Sequence, residues 1–194
     1  MSSYKLLKSP RSLNVHPGEV VCVMDANRNN YALILEKEPA RPSAVIALNH
    51  FPVSTPACPV SRQASVQDTL QRWLKGFPDF SVRKISALFG LEEVLTVSLP
   101  ALGNEMRYRL LVLKAILEKA AFIEFVAPWR ITGFSDLLQG ARTFAKTYSR
   151  YRPFALPAFI VYDPGYLPGV ALLSDRLLAA RQNEVIELLP NLGA

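Results

Sequence analysis

Apolar positions along the chain fall into two patterns: short unbroken runs, and longer stretches with helical spacing. "EVVCVMDA" belongs to the first. It is short and Val-rich, with Pro17-Gly18 before it and polar residues after it, as a buried strand requires. "SAVIALNHF", "FIEFVA" and "AFIVYD" read the same way. "YALILEKE" fits a short helix or a second strand. The helical pattern begins at "SVQDTLQRWLKGF", where Val66, Leu70 and Leu74 follow Ser65 as N-cap. "SVRKISALFGLEEVL" continues helically to Gly90, a glycine suited to the position just past a helix end. "NEMRYRLLVLKAILEKAAF" carries the strongest helical signal, with Asn104 as cap and Leu110, Leu113, Leu117 and Ala120 or Ala121 along one face. "SDLLQGARTFAKTYSRY" predicts an amphipathic helix opening at Ser135. Its Leu138, Ala141, Ala145 and Tyr148 point inward and its Arg142, Lys146 and Arg150 outward. "GVALLSDRLLAARQNEVIELL" reads as helix, strand, turn and strand, because "RQNE" has the composition of a hairpin turn. The proline-punctuated "PVSTPACPVSRQAS" is the principal loop. Strands alternating with helices predict an α/β sheet.

Composition narrows this only a little. The 194 residues suffice for one domain with a real core, or for one domain plus a small subdomain. Half of them are hydrophobic and a fifth charged, which excludes long disorder. The net charge of +6 permits contact with nucleic acid, phospholipid head groups or an acidic partner. Cys22 lies in an apolar strand pattern and is expected to be a reduced, buried thiol; Cys58 is the second cysteine. The first residues hold no apolar signal-peptide core, and no run approaches the ~18 apolar residues of a membrane span. A cytoplasmic protein is therefore expected.

Candidate chemistry is sparse. His16, His50, Cys22 and Cys58 have no metal-ligand spacing, and neither a metal nor another cofactor is expected. Asp25, Asp163 and Glu105 have no spacing that supports a relocated acid set, and "DANRNN" reads as a solvated turn. The cations Arg142, Lys146, Arg150 and Arg152 form either a solvated helix face or a contact for lipid head groups or an acidic partner. No nucleic-acid-binding motif accompanies them, and no nucleic-acid partner is expected.

Four stretches, in order, resemble the nucleotide-binding domain of ATP-binding cassette (ABC) ATPases. "LNVHPGEVVCVM" is similar to the family's first core strand with its Pro-Gly-Glu turn. "LFGLEEVL" resembles the helix end before the signature loop. "EMRYRLLVLKAILEKAAFIEFVAPW" resembles the signature helix and the strand ending in Asp-Glu-Pro. "FIVYDPGYLPGVALLSDRLLAARQNEVIE" resembles the strand ending in Thr-His-Asp and the later hairpin. The resemblance implies a P-loop NTPase-like core spanning 1–194, with a reduced helical subdomain at about 52–100.

It also implies where the family's chemistry would sit, and those positions are altered. The family's GxxxxGK(S/T) loop uses glycines to aim backbone N–H groups at phosphates, a lysine to neutralise them and a hydroxyl to hold Mg²⁺. The corresponding residues are Asp25 and Asn30 for the glycines, Tyr31 for the lysine and Ala32 for the hydroxyl. Val126 and Ala127 stand in for the Mg²⁺-binding aspartate and the general-base glutamate, and Tyr162 for the switch histidine. The signature loop is reduced to "LGNEM", with Gly103 for its serine and Asn104 and Glu105 for its glycines. Gln63 is a poor match to the family's Q-loop glutamine. The resemblance thus implies a catalytically inactive subunit with no nucleotide-binding residues. It would dock on an ABC permease or an active ABC ATPase as a homo- or heterodimer, on the cytoplasmic face of the inner membrane. The alternatives are a soluble scaffold or regulator that has left transport, and an enzyme using a new site on the same fold.

Overall fold

A computed structural model describes residues 12–24, 32–35, 43–47, 52–152, 154–163, 168–181 and 184–188. Its spine is strand β2 (Val20–Met24), whose residues Val20 through Val23 are buried on both faces. That burial explains the unbroken apolar run, since a central parallel strand has no solvent face on which to place polar residues. The strands are β1 (Ser12–Val15), β2, β3 (Ala32–Leu35), β4 (Ser43–Ile46), β5 (Phe122–Val126), β6 (Ala158–Tyr162), β7 (Arg176–Arg181) and β8 (Glu184–Leu188). The main sheet has the order β4-β5-β6-β2-β7-β8 and is parallel except for the β7–β8 hairpin. β1 and β3 pair in parallel as a separate two-stranded sheet, with Ser12 opposite Ala32.

The ambiguous "YALILEKE" therefore contributes a strand at Ala32–Leu35, not the helix start that a phosphate-binding turn leads into. The helices are α1 (Val66–Trp73), α2 (Val82–Phe89), α3 (Asn104–Leu117), α4 (Phe134–Tyr151) and α5 (Pro168–Leu173). Ser65 caps α1 as the sequence predicts: its Oγ accepts from the Asp68 backbone N–H at 3.1 Å, and the Asp68 carboxylate accepts from the Ser65 N–H at 3.2 Å. Gly90 closes α2 in the left-handed conformation, with φ 61°.

Two helix starts differ from the sequence reading. α3 is capped by Gly103, without a side-chain hydrogen bond, and Asn104 is its first helical residue. α4 opens behind Gly133, so its first residue is Phe134 rather than Ser135. In both places a glycine backbone makes the turn that the sequence reading assigned to a polar side chain.

One face of the sheet presents Val20, Cys22, Ile123, Phe125, Phe159 and Val161 to the main core, which includes residues of α1 through α5. The other presents Val21, Val23, Phe122, Ile160, Tyr162 and Leu178 to a smaller core that includes Val15. α3 is buried on almost every side, including Arg109 and Lys114, rather than along a single leucine face. α4 keeps its expected amphipathic division: Leu138, Ala141, Ala145 and Tyr148 are buried, Lys146 and Arg150 exposed.

Segment 52–102 is fastened to α4 through aromatic rings. Phe77 and Phe80 pack against Tyr148 and Tyr151, and Phe89 meets Phe144 edge-on at 5.7 Å. Arg152 lies 5.4 Å above the Phe77 ring. α2 crosses α4 so closely that the Leu88 carbonyl faces Gly140.

Candidate functional site

Open α/β sheets hold ligands beyond the carboxyl ends of their strands. Here β2, β6 and β5 lie side by side, and the register sets Val23 opposite Tyr162 and Tyr162 opposite Val126. Val126, Ala127 and Tyr162 are thereby brought to one edge of the sheet. Asp25, Asn30 and Tyr31 lie outside the described residues, as does His50.

Among the described residues, Val126, Ala127 and Tyr162 bring no charge to this edge. Val126 is half-buried and Ala127 adopts φ 56°, a left-handed conformation that costs a non-glycine residue roughly 1 kcal/mol. Pro128 follows it, buried. The Tyr162 ring is buried, and its hydroxyl donates to Oε2 of Glu124 at 3.2 Å. Asp163 is fully buried, and its N–H donates to the Val23 carbonyl at 2.9 Å. Ala32 begins a strand, so no helix N-terminus follows directly on the segment between Met24 and Ala32. A helix N-terminus is the device that supplies convergent N–H donors and a favourable dipole to a phosphate.

The stretches that carried the sequence resemblance act here as structural clamps. His16 to Glu19 forms a tight turn in which the Glu19 N–H donates to the His16 carbonyl at 3.1 Å. Gly18 takes φ 79° behind Pro17, the backbone of a type II turn. The Glu19 carboxylate accepts from the His16 N–H at 2.8 Å and pairs with Arg176 at 3.4 Å. Asp175 accepts from the Val20 N–H at 2.8 Å and returns a backbone bond to the Val20 carbonyl. The "DR" of the late motif thus pins β7 to the start of β2.

The "LGNEM" loop is also structural. Gly103 and Asn104 are exposed, and Glu105 is turned inward by Arg109 one helical turn on, at 3.0 Å. Arg109 further donates to the carbonyls of Phe89 and Thr132. The Glu105 carboxylate, at one of the signature-loop glycine positions, is neutralised by a near-buried guanidinium.

The basic cluster is divided. Arg142 forms a forked pair with Asp175, at 2.8 and 3.1 Å. Arg152 lies over Phe77, while Lys146 and Arg150 remain exposed. Sequence reasoning missed Glu124, Arg109 and Asp175. The only hint of Glu124 was a lone carboxylate inside the apolar "FIEFV". Gln63 is exposed in the loop before α1. Among the described residues, no group of His, Cys, Asp and Glu is arranged to hold a metal, and no helix is long and apolar enough to cross a membrane.

Both thiols are free and buried, as the strand pattern predicts for Cys22. Burial pushes the Cys22 thiol up to about 12, and Asp163 adds to the shift. Burial likewise pushes Cys58 up to about 12; Glu118 reinforces it and Lys114 opposes it. An unfolded chain releases these protons from about pH 9, whereas the native state retains them to about pH 12. Native stability is therefore expected to fall as pH rises through that window, by about 1.4 kcal/mol per pH unit for each thiol. Urea midpoints at a series of pH values read this slope. It should flatten when both cysteines are replaced by alanine, and an unchanged slope would refute it.

No protein-family model and no curated protein matches the sequence. Solved structures do match in fold. An archaeal ribosome recycling factor, aABCE1, in complex with the ribosomal stalk protein aP1, superposes with a TM-score of 0.54 at 11% identity, over 94% of this chain and 37% of that one. The cbiO1 protein of Clostridium perfringens, part of the ABC transporter complex cbiONQ, gives 0.52 at 13% identity over 90% and 78%. RNase-L Inhibitor gives 0.51 at 12% identity over 94% and 37%. This chain thus spans little more than a third of the length of two of these three. At such identities the likeness shows the fold: an α/β, P-loop NTPase-like core of the ABC ATPase type.

Proposed function

We propose that this chain is a catalytically inactive ABC ATPase-like subunit with a structural or regulatory role in a membrane transport complex. It docks there on a permease or on an active ATPase of the same fold, as a homo- or heterodimer on the cytoplasmic face of the inner membrane. The observation that carries the reading is the edge formed by β2, β6 and β5. The fold matches the ABC type, yet its carboxyl edge offers Val126, a strained Ala127 and Tyr162 in place of acids and a histidine. Ala32 continues into a strand instead of a phosphate-facing helix. Neither Val126 nor Ala127 can coordinate a metal or act as a base towards water. The same reading makes the segment at about 52–100 the reduced helical subdomain, with its aromatic rings packed on α4.

Titration of the full chain with Mg²⁺-ATP tests the nucleotide half. The expected result is no saturation below about 1 mM, an affinity no better than about −4 kcal/mol. Micromolar, Mg²⁺-dependent binding overturns it. Fractionation and affinity isolation from native membranes test the docking half. Co-isolation with a permease or a second ATPase is expected, and a chain found wholly in the soluble fraction without either overturns it. In a mixed dimer with an active ATPase, turnover that disappears on mutating Gly103 or Glu105 would contradict the inactive interface.

A further inference from the structure

Away from the carboxyl edge, helix α4 is flanked by two depressions that meet at Thr143. The first is a groove of about 420 Å³ between α2 and α4, floored by Phe80, Ala87, Leu88 and Phe144. Lys84 stands on its α2 wall, exposed. The second is a cleft of about 220 Å³ against the start of β2 and the end of α5. It is lined by Leu138 and Leu173 among apolar residues, with Gln139, Arg142 and Lys146. Lys146 is exposed, and Arg150 continues its stripe one helical turn later. Among the described residues no carboxylate lines either depression, and Asp175 is already paired with Arg142.

The walls are held in place. The Leu88 carbonyl rests on Gly140, and Phe80 and Phe89 are both packed against Phe144. An apolar trough with a rim of lysines, concave and preformed, suits a rod with an apolar stripe and acidic flanks. A flat bilayer surface would reach Lys84 and Lys146 but leave the trough empty. Leu172, beside the cleft residue Leu173, is 87% exposed and offers a further apolar contact.

We propose that the α2–α4 groove and the adjoining cleft together form a docking track for an acidic amphipathic helix of a partner protein. Apolar side chains at helical spacing fill the trough over Phe80, Leu88 and Phe144, and carboxylates on the flanks meet Lys84 and Lys146. This rests on the docking half of the function proposed above. It is independent of the nucleotide half, so an ATP titration and a helix-binding measurement fail separately.

The test uses the full chain and a fluorescein-labelled designed helical peptide with leucines at helical spacing and glutamates elsewhere, read by anisotropy. Saturable binding is expected, weakening as salt rises. Lys84→Glu and Lys146→Glu, both at exposed positions, are each expected to weaken it about tenfold. Thr143→Trp, which fills the point where the two depressions meet, is expected to abolish it. Unchanged thermal unfolding of the three variants shows that the fold is intact. The proposal is overturned by absence of saturable binding, or by equal binding of a peptide with lysine in place of each glutamate. It is also overturned if phosphatidylserine vesicles bind in the peptide's stead and are lost in the same variants. Self-association of the chain abolished by those variants would overturn it too, by assigning the track to a second copy.

Discussion

Replacing Gly140 by alanine is expected to destabilise the chain by about 3 kcal/mol, as an overpacked core contact does. In an exposed helix the same change is favourable by about 1 kcal/mol. The sign reverses here because a Cβ on Gly140 would lie 2.2 Å from the Leu88 carbonyl oxygen and 3.2 Å from its carbon. Those atoms are backbone at the end of α2 and cannot rotate away, so α2 must shift as a unit. Moving it strains the contacts of Phe80 and Phe89 with Phe144. For a chain of this length the loss corresponds to a fall in melting temperature of roughly 6–12 °C. Thr143→Ala, at an exposed position on the same helix, serves as the control and should change little. A Gly140→Ala protein as stable as the parent would mean that α2 does not press on α4 as described. The same substitution should weaken acidic-helix binding, because it moves one wall of the groove.

Arg109→Met is expected to cost about 2–4 kcal/mol, by removing one partner of a near-buried charge network. Arg109 is 8% exposed and donates to the Glu105 carboxylate at 3.0 and 3.3 Å and to the Phe89 carbonyl at 3.2 Å. It also donates to the Thr132 carbonyl, so one guanidinium joins α3, the end of α2 and the turn before α4. Methionine fills the volume but leaves two inward carbonyls and a carboxylate without their donor. Glu105 retains 30% side-chain exposure and turns partly to water, which keeps the cost below that of a fully buried pair. Lysine keeps the charge but not the planar fork and should recover only part of the loss. The measurement is a double-mutant cycle with Glu105→Gln under urea, where a coupling of about 1–2 kcal/mol is expected. Additive losses would show that the two side chains stand independently, leaving Glu105 available to an opposing surface.

Much of the element order was legible because its causes are local. Val20 to Val23, Phe122 to Phe125 and Ala158 to Tyr162 are strand residues buried on both faces, which leaves an apolar mark in the sequence, broken only by Glu124. Ser65 before Val66, and Gly90 after Phe89, announced the start of α1 and the end of α2 because each cap closes its own backbone within a few residues. The failures share a cause as well. The four residues Ala32–Leu35 are too few for a period of two to be told from one of 3.6, and only pairing with Ser12–Val15 makes them a strand. Gly103 and Gly133 cap helices without a side chain, so the cap was assigned to the polar residue nearby.

The candidate site divides along the same line. Its residue types were plain in the sequence: Val126, Ala127 and Tyr162 are visibly not acids or a histidine. Their meeting at one edge depends on β6 lying between β2 and β5, which no stretch of sequence encodes by itself. Arg142 read as an exposed cation until Asp175, 33 residues away, was brought to it by the passage of β7 beside β2. Tyr162 and Glu124, 38 residues apart, meet only because their strands are neighbours.

The sequence alone determined which segments are strands or helices wherever burial or capping acts within a few residues, and which chemical groups exist to do work. Tertiary structure decided the sheet order, the fate of each charge and the shape of the groove beside α4. The reason is range: hydrophobic periodicity and caps are set by neighbours in the chain, whereas an ion pair or a trough is set by residues that only the packed sheet and helices bring together.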